Sequence, residues 1–161
     1  MQRAAGGLTV YNLFKFLHIV GVIVWLGGVT AVTVLNARLA RESADGAGAA
    51  ALARAAAAFG RTVVGPAAGL ALIAGVVTAV VGGLDMGALW ITWGFLGILI
   101  SVGLGATLIR RTTASLETAL TAPANPQPDV SALRSRLTTL NLINLLVLLS
   151  TVGAMVFKPT L

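Results

Sequence analysis

The chain has 161 residues, of which 57% are hydrophobic and 10% charged, with a mean hydropathy of +0.94. About a quarter of a soluble domain is charged, so an ordinary water-soluble globule is excluded. The absence of Cys rules out disulfides, thiolate nucleophiles and Cys-ligated zinc or iron–sulfur centres, and a single His rules out a same-chain His pair.

The first apolar run lies between Lys15 and Arg38, 22 residues without Asp, Glu, Lys or Arg. A hydrocarbon core needs about 20 apolar residues of helix, so a span is expected over about 10–37. It is too long for the h-region of a signal peptide, and no A-x-A-like site follows it. His18, Gly21, Trp25, Gly28 and Val32 recur three and four apart and define its inward face. Beyond it come Arg38 and Arg41, the turn Ser43-Ala44-Asp45-Gly46, and an Ala-rich stretch to Phe59. Alanine is the best helix former, so this stretch is expected to extend the second span. Arg54 and Arg61, seven apart, share a face and serve either as topology signals or as contacts to lipid phosphates.

The second span is expected over about 59–83. It carries Gly65-x-x-x-Gly69, a small-residue packing motif, and Pro66, which should bend the helix and free the carbonyl of Thr62. After the turn Gly82-Gly83-Leu84-Asp85, a third span is expected over about 87–111. Trp93, Gly97, Ser101 and Gly105 stand there at four-residue spacing as a close-packing seam. Pro123, Pro126 and Pro128 preclude a continuous helix through the next loop, and Asp129 or Ser131 reads as the N-cap of the last helix. The fourth span is expected over about 134–157, with Asn141, Asn144, Leu148 and Thr151 facing inward.

These elements predict an all-α fold, a polytopic antiparallel bundle of four transmembrane helices forming one membrane domain over 1–161. The two longer connections, with loops at about 38–58 and 112–133 and the helix ends that flank them, hold 8 of the 11 basic residues (Arg38, Arg41, Arg54 and Arg61; Arg110, Arg111, Arg134 and Arg136), and the turn near Asp85 holds none. Short loops rich in Lys and Arg stay cytoplasmic, which places both termini outside. The net charge of +6 therefore marks topology; nucleic acid is not a partner, since no soluble basic face exists. The lipid bilayer is.

At about 1.5 Å of rise per residue, His18 lies roughly 8 Å below the outer boundary. Thr78, Trp93 and Ser150 or Thr151 fall at a similar depth. Two readings of His18 stay open: a neutral ring bonded across the bundle to Thr78 or Ser150, or a ligand to haem iron or a metal. Met86 and Met155, also on the outer side, are candidates for a second axial ligand or apolar filler. A His18 from a neighbouring chain is the third option and would require a homodimer. Trp25 needs a partner for its indole N–H when buried, and Asn144 is at the right level. Trp90 and Trp93 fit an outer aromatic belt or a cofactor wall. Lys15 is expected to snorkel to the headgroups, where Asp85 can pair with it. No Walker loop, dinucleotide fingerprint, nucleophile elbow or acid pair is present. No charged residue stands inside any of the four runs, leaving few carriers for an ion-coupled transporter.

The segment Lys15-Phe16-Leu17-His18, followed by Trp25-Leu26-Gly27-Gly28, resembles the first helix of a bacterial membrane superfamily. That group contains the HemJ-type protoporphyrinogen oxidases and relatives of copper-resistance protein D; Met155-Val156-Phe157-Lys158-Pro159 resembles the tail of its small members. The resemblance implies a four-helix protein of the bacterial inner membrane and a b-type haem held partly by His18. Trp25, Trp93, Met86 and Met155 are its candidate neighbours. The oxidases follow the first helix with Leu-Pro-Arg, where this chain has Val34-Leu35-Asn36, and carry a Lys three after a Trp in the third helix, where Trp93 follows Trp90. The implied function is a redox or haem-associated accessory protein, alone or within a larger membrane complex. Its alternatives are a haem-dependent porphyrinogen-oxidising enzyme and a small transporter or metal-uptake component.

Overall fold

A computed structural model describes residues 2–41, 46–121 and 129–159. The expected turn within 42–45 and the proline-bearing stretch 122–128 fall outside the described residues. Within them the chain is helical, with no strand: α1 (Gln2–Arg41), α2 (Gly46–Phe59), α3 (Gly65–Val81), α4 (Leu89–Leu104), α5 (Arg110–Thr121) and α6 (Val130–Phe157). Two π-turns, Gly60–Val64 and Gly105–Ile109, join α2 to α3 and α4 to α5 without a break. The result is four continuous rods long and apolar enough to cross a membrane, Thr9–Arg38, Gly48–Val81, Leu89–Thr121 and Val130–Phe157. Their outward faces carry large exposed apolar side chains, among them Phe16, Ile23, Ile73, Leu99 and Leu146, which the bilayer covers.

The rods run further than the apolar runs. The third continues as helix to Thr121, inside a stretch expected to be loop. Its threonines bond back to their own helix: Thr112, Thr113 and Thr118 donate to the carbonyls of Leu108, Ile109 and Ala114, each four residues back. Thr112, Leu116 and Ala119 form a buried stripe on this polar segment, and α5 packs against α2. Helicity here is held by tertiary burial, which propensity alone does not reveal. The Ala-rich segment is helix, as its composition predicts, and Asp129 caps α6 by accepting from the Ala132 N–H at 3.1 Å.

Pro66 stands in the first turn of α3 and has no N–H for Thr62. The backbone widens one turn earlier, where the Gly65 N–H bonds to the Gly60 carbonyl, five residues back. The disturbance expected from proline is thus a π-turn.

Both lysines of the described rods, Lys15 and Lys158, lie at the end where α1 begins and α6 finishes, the terminal end. Arg54, Arg61, Arg110, Arg111, Arg134 and Arg136 occupy the opposite, arginine end. The helices close unevenly. In the spanning region α1 packs along α3 and α6, and α6 along α4, while α3 and α4 barely touch. At the arginine end α2 and α5 close the ring. The core threads between, with Trp25, Val29, Ala67, Ala68, Ala71, Ile98 and Leu148 all buried.

Small residues set the close approaches, as expected where lipid removes the hydrophobic drive. A Cβ on Gly21 would lie 2.8 Å from the Ala71 backbone nitrogen, so α1 and α3 meet almost backbone to backbone. A Cβ on Gly97 would overlap the Thr151 hydroxyl, and one on Gly94 would lie 2.8 Å from Met155 Cε, joining α4 to α6. The Gly65-x-x-x-Gly69 motif is not part of this. Both glycines are exposed, and a Cβ on Gly69 would meet nothing within 4 Å. The inward face of α3 is Ala67, Ala68, Ala71 and Ala74; in so alanine-rich a helix, Ala is small enough to make the contact. Gly105, the last member of the expected α4 seam, also faces open space.

Candidate functional site

Because α3 and α4 part above their connecting turn, a space opens between α1, α3, α4 and α6 at the terminal end. This cavity has a volume of about 250 Å³. Its walls are mostly apolar, including Leu72, Val76, Ile91, Phe95 and Ile98, and His18 and Met155 line it. A narrow pocket of about 20 Å³ lies beside it, sharing His18 and Met155 and lined also by Trp25 and Leu148.

His18 is held by backbone. Its Nδ1 is 2.7 Å from the Ala71 carbonyl oxygen; a carbonyl only accepts, so Nδ1 donates. In the neutral ring Nε2 then keeps its lone pair, and the bond fixes the tautomer and the orientation of the imidazole. The ring rests on Gly75, where a Cβ would stand 2.8 Å from Nδ1. Gly21, one turn below, brings α3 close enough for the bond. The expected partners are engaged elsewhere: Thr78 donates to Ala74 and Ser150 to Val147. A side-chain search along the sequence misses a main-chain acceptor, and this one depends on the close helix pair.

Two lysines mark the rim. Lys15 Nζ lies 5.8 Å from the centre of the Tyr11 ring and Lys158 Nζ 5.4 Å from that of Trp90, within cation–π range. All four residues line the cavity. Tyr11 is seated on Gly82, where a Cβ would be 2.7 Å from its Cε2. Lys15 therefore finds an aromatic face and not Asp85, whose Oδ1 accepts from the Gly87 N–H. Lys158 adopts a left-handed backbone, φ 44°, that ends α6. The sequence signal for this rim is that Lys158, the first charge after the fourth apolar run, and Lys15, the charge before the first, end at the same face of the bundle and line one cavity.

The other expected residues separate. Trp25 is buried in the lower pocket, but its anticipated bond to Asn144 is not made: Asn144 Oδ1 is buried without a partner. Trp93 is 40% exposed on the lipid side, donating to Ser150 Oγ at 3.3 Å. Met86 is exposed in the connecting turn and does not line the cavity. Of the named set, then, His18 and Met155 line both spaces, Trp25 lines only the narrow pocket, and Trp93 and Met86 line neither. No group of three or more His, Asp or Glu able to hold a metal occurs among the described residues.

Four apolar rods around a gap lined by one histidine and rimmed by two lysines define a multi-pass integral membrane protein with an intramembrane ligand-sized cavity. A family model described as "Predicted integral membrane protein (DUF2269)" matches residues 12–159, and the chain belongs to that family. No curated protein and no solved structure matches it.

Proposed function

We propose that the protein is a haem-associated redox accessory of the bacterial inner membrane, with the cavity as its haem site and both termini outside. The observation that carries this reading is the Nδ1–H bond from His18 to Ala71, which leaves Nε2 as a lone-pair donor at an apolar cavity. Were a b-type haem to bind there, His18 would supply a nitrogen ligand, Met155 a thioether from the same cavity lining, and the apolar walls a low-dielectric surround. Lys15 and Lys158 at the rim would supply positive charge for two propionates. A bound haem would supply one-electron exchange. The chain's own part is to fix the imidazole through Ala71, hold the rim charges beside Tyr11 and Trp90, and keep bulk water off the ring. The likeness of Lys15–His18 and Trp25–Gly28 to the HemJ and copper-resistance D group supports the same assignment.

The visible spectrum of gently purified protein tests it. A b-type Soret band is expected, and His18→Ala should abolish it with expression largely intact; Met86→Leu should leave it unchanged. Colourless protein from cells grown with ample haem precursor would sink the reading. Orientation has its own test, made simple by the absence of native cysteine. In intact cells an impermeant thiol reagent should label Met86→Cys and spare Ser115→Cys, and the reverse pattern would invert the topology.

A further inference from the structure

At the arginine end of α6 one guanidinium has been withdrawn from solvent. Arg134 stands in the second turn of that helix and is 9% exposed. Its Nε and Nη2 are both buried and neither makes a hydrogen bond. These two nitrogens share one edge of the planar group, the edge that grips an oxyanion through two parallel N–H bonds. One helical turn on, the buried hydroxyl of Thr138 also lacks a partner. Helical threonines usually satisfy themselves on the carbonyl four residues back, as Thr139 and Thr112 do here. Residues 134 and 138 lie on one helix face, so three unspent polar atoms stand together.

No carboxylate among the described residues answers them. Asp129 is occupied as the N-cap, Asp85 sits at the terminal end, and Glu117 leaves the Nε–Nη2 edge unpaired. A buried cation without a counter-charge is strongly disfavoured. Arg134 also stands just before the apolar run that opens at Leu137, at the level of lipid headgroups, where phosphate is abundant. We propose that the Arg134 edge and the Thr138 hydroxyl bind one phosphate-type oxyanion, carried by an anionic lipid headgroup or present as free phosphate. This site is separate from the cavity at the opposite end and does not depend on what that cavity holds.

The test uses the full-length protein, purified in dodecyl maltoside and delipidated, titrated with dioctanoyl phosphatidylglycerol, with dioctanoylglycerol and with inorganic phosphate. Native mass spectrometry and thermal unfolding read the result. One phosphatidylglycerol per chain with a raised Tm is expected, and no response to dioctanoylglycerol. Arg134→Gln should weaken binding at least about tenfold, because a charge-assisted pair is lost. Arg136→Gln, which alters an exposed neighbour, should leave it unchanged. A response to inorganic phosphate assigns the site to the free anion, and a response to phosphatidylglycerol alone assigns it to the headgroup. Should Arg134→Gln fail to fold, Thr138→Val carries the test, with several-fold weaker binding expected. Wild-type affinity in the folded variant, or a wild-type protein indifferent to both phosphate sources, overturns the proposal.

Discussion

The two ends of the bundle are short of different things. At the terminal end volume is missing: α3 and α4 part, leaving the cavity of about 250 Å³. Several polar groups there are nonetheless matched, His18 Nδ1 with Ala71, Thr78 with Ala74, Thr151 with Val147 and Trp93 with Ser150. Toward the arginine end volume is filled, since α2 closes against α5 over Ala50, Ala53, Leu116 and Ala119. From mid-bundle to that end the unspent groups are polar: Ser101 Oγ, Asn144 Oδ1, Thr138 Oγ1 and two nitrogens of Arg134 are buried without partners. Empty space and unused hydrogen-bonding capacity are separate quantities, and this chain keeps them apart along its length. An apolar gap accepts a bulky ligand; unspent donors in a closed layer accept a small polar one.

That contrast can be broken most severely at the α4–α6 seam, which supports the floor of the gap. Gly97→Leu should destabilise the protein by at least about 1–3 kcal/mol, the usual cost of overpacking, since even a Cβ there overlaps the Thr151 hydroxyl. Leu99→Ala, two residues away and 68% exposed, should cost far less. Detergent melting that ranked the pair the other way would turn this face of α4 toward lipid. A smaller effect is expected where α1 approaches α3. Gly21→Ala should cost about 1–2 kcal/mol, while Gly69→Ala should be neutral or stabilise by about 0.5–1 kcal/mol through helix propensity. Equal losses at both positions would return the Gly65–Gly69 motif to the interface. The smallest effect belongs to the lipid-facing wall. Trp93→Phe removes one long bond, 3.3 Å, at an exposed position, and should change the melting free energy by no more than about 0.5 kcal/mol. A large loss there would move Trp93 from the periphery into the core.

The spans and the inward faces of α1 and α6 were legible because their signals are periodic. Gly21, Trp25 and Gly28 on one, and Asn141, Asn144, Leu148 and Thr151 on the other, are buried where the spacing puts them. The inward face of α3 was not, because alanine is uniform along it and the eye goes to glycine. His18 stood out as an ionisable residue in a span, but its partner is a main-chain carbonyl that exists only after Gly21 has brought two helices together. The rim escaped for a related reason. Tyr11, Lys15, Trp90 and Lys158 are far apart in sequence, and their meeting depends on which helices pack and which part. Arg134 could be read as a boundary charge; its burial comes from α5 and α6 running beyond the apolar runs.

The weak contact between α3 and α4 also bears on how the chain is assembled. The two helices are consecutive, yet each spends its packing on the other member of its own hairpin, α3 on α1 and α4 on α6. The molecule is therefore two hairpins built independently of each other, one from the first half of the chain and one from the second. During synthesis the first can complete its helix pair before the third span has been made, because nothing it needs in that pairing lies downstream. The halves meet through α1 on α6 and α2 on α5. The turn from Gly82 to Ala88 acts as a tether that keeps the local concentration of one half high around the other. The cavity at the terminal end is the space that the packing of the two halves leaves unfilled.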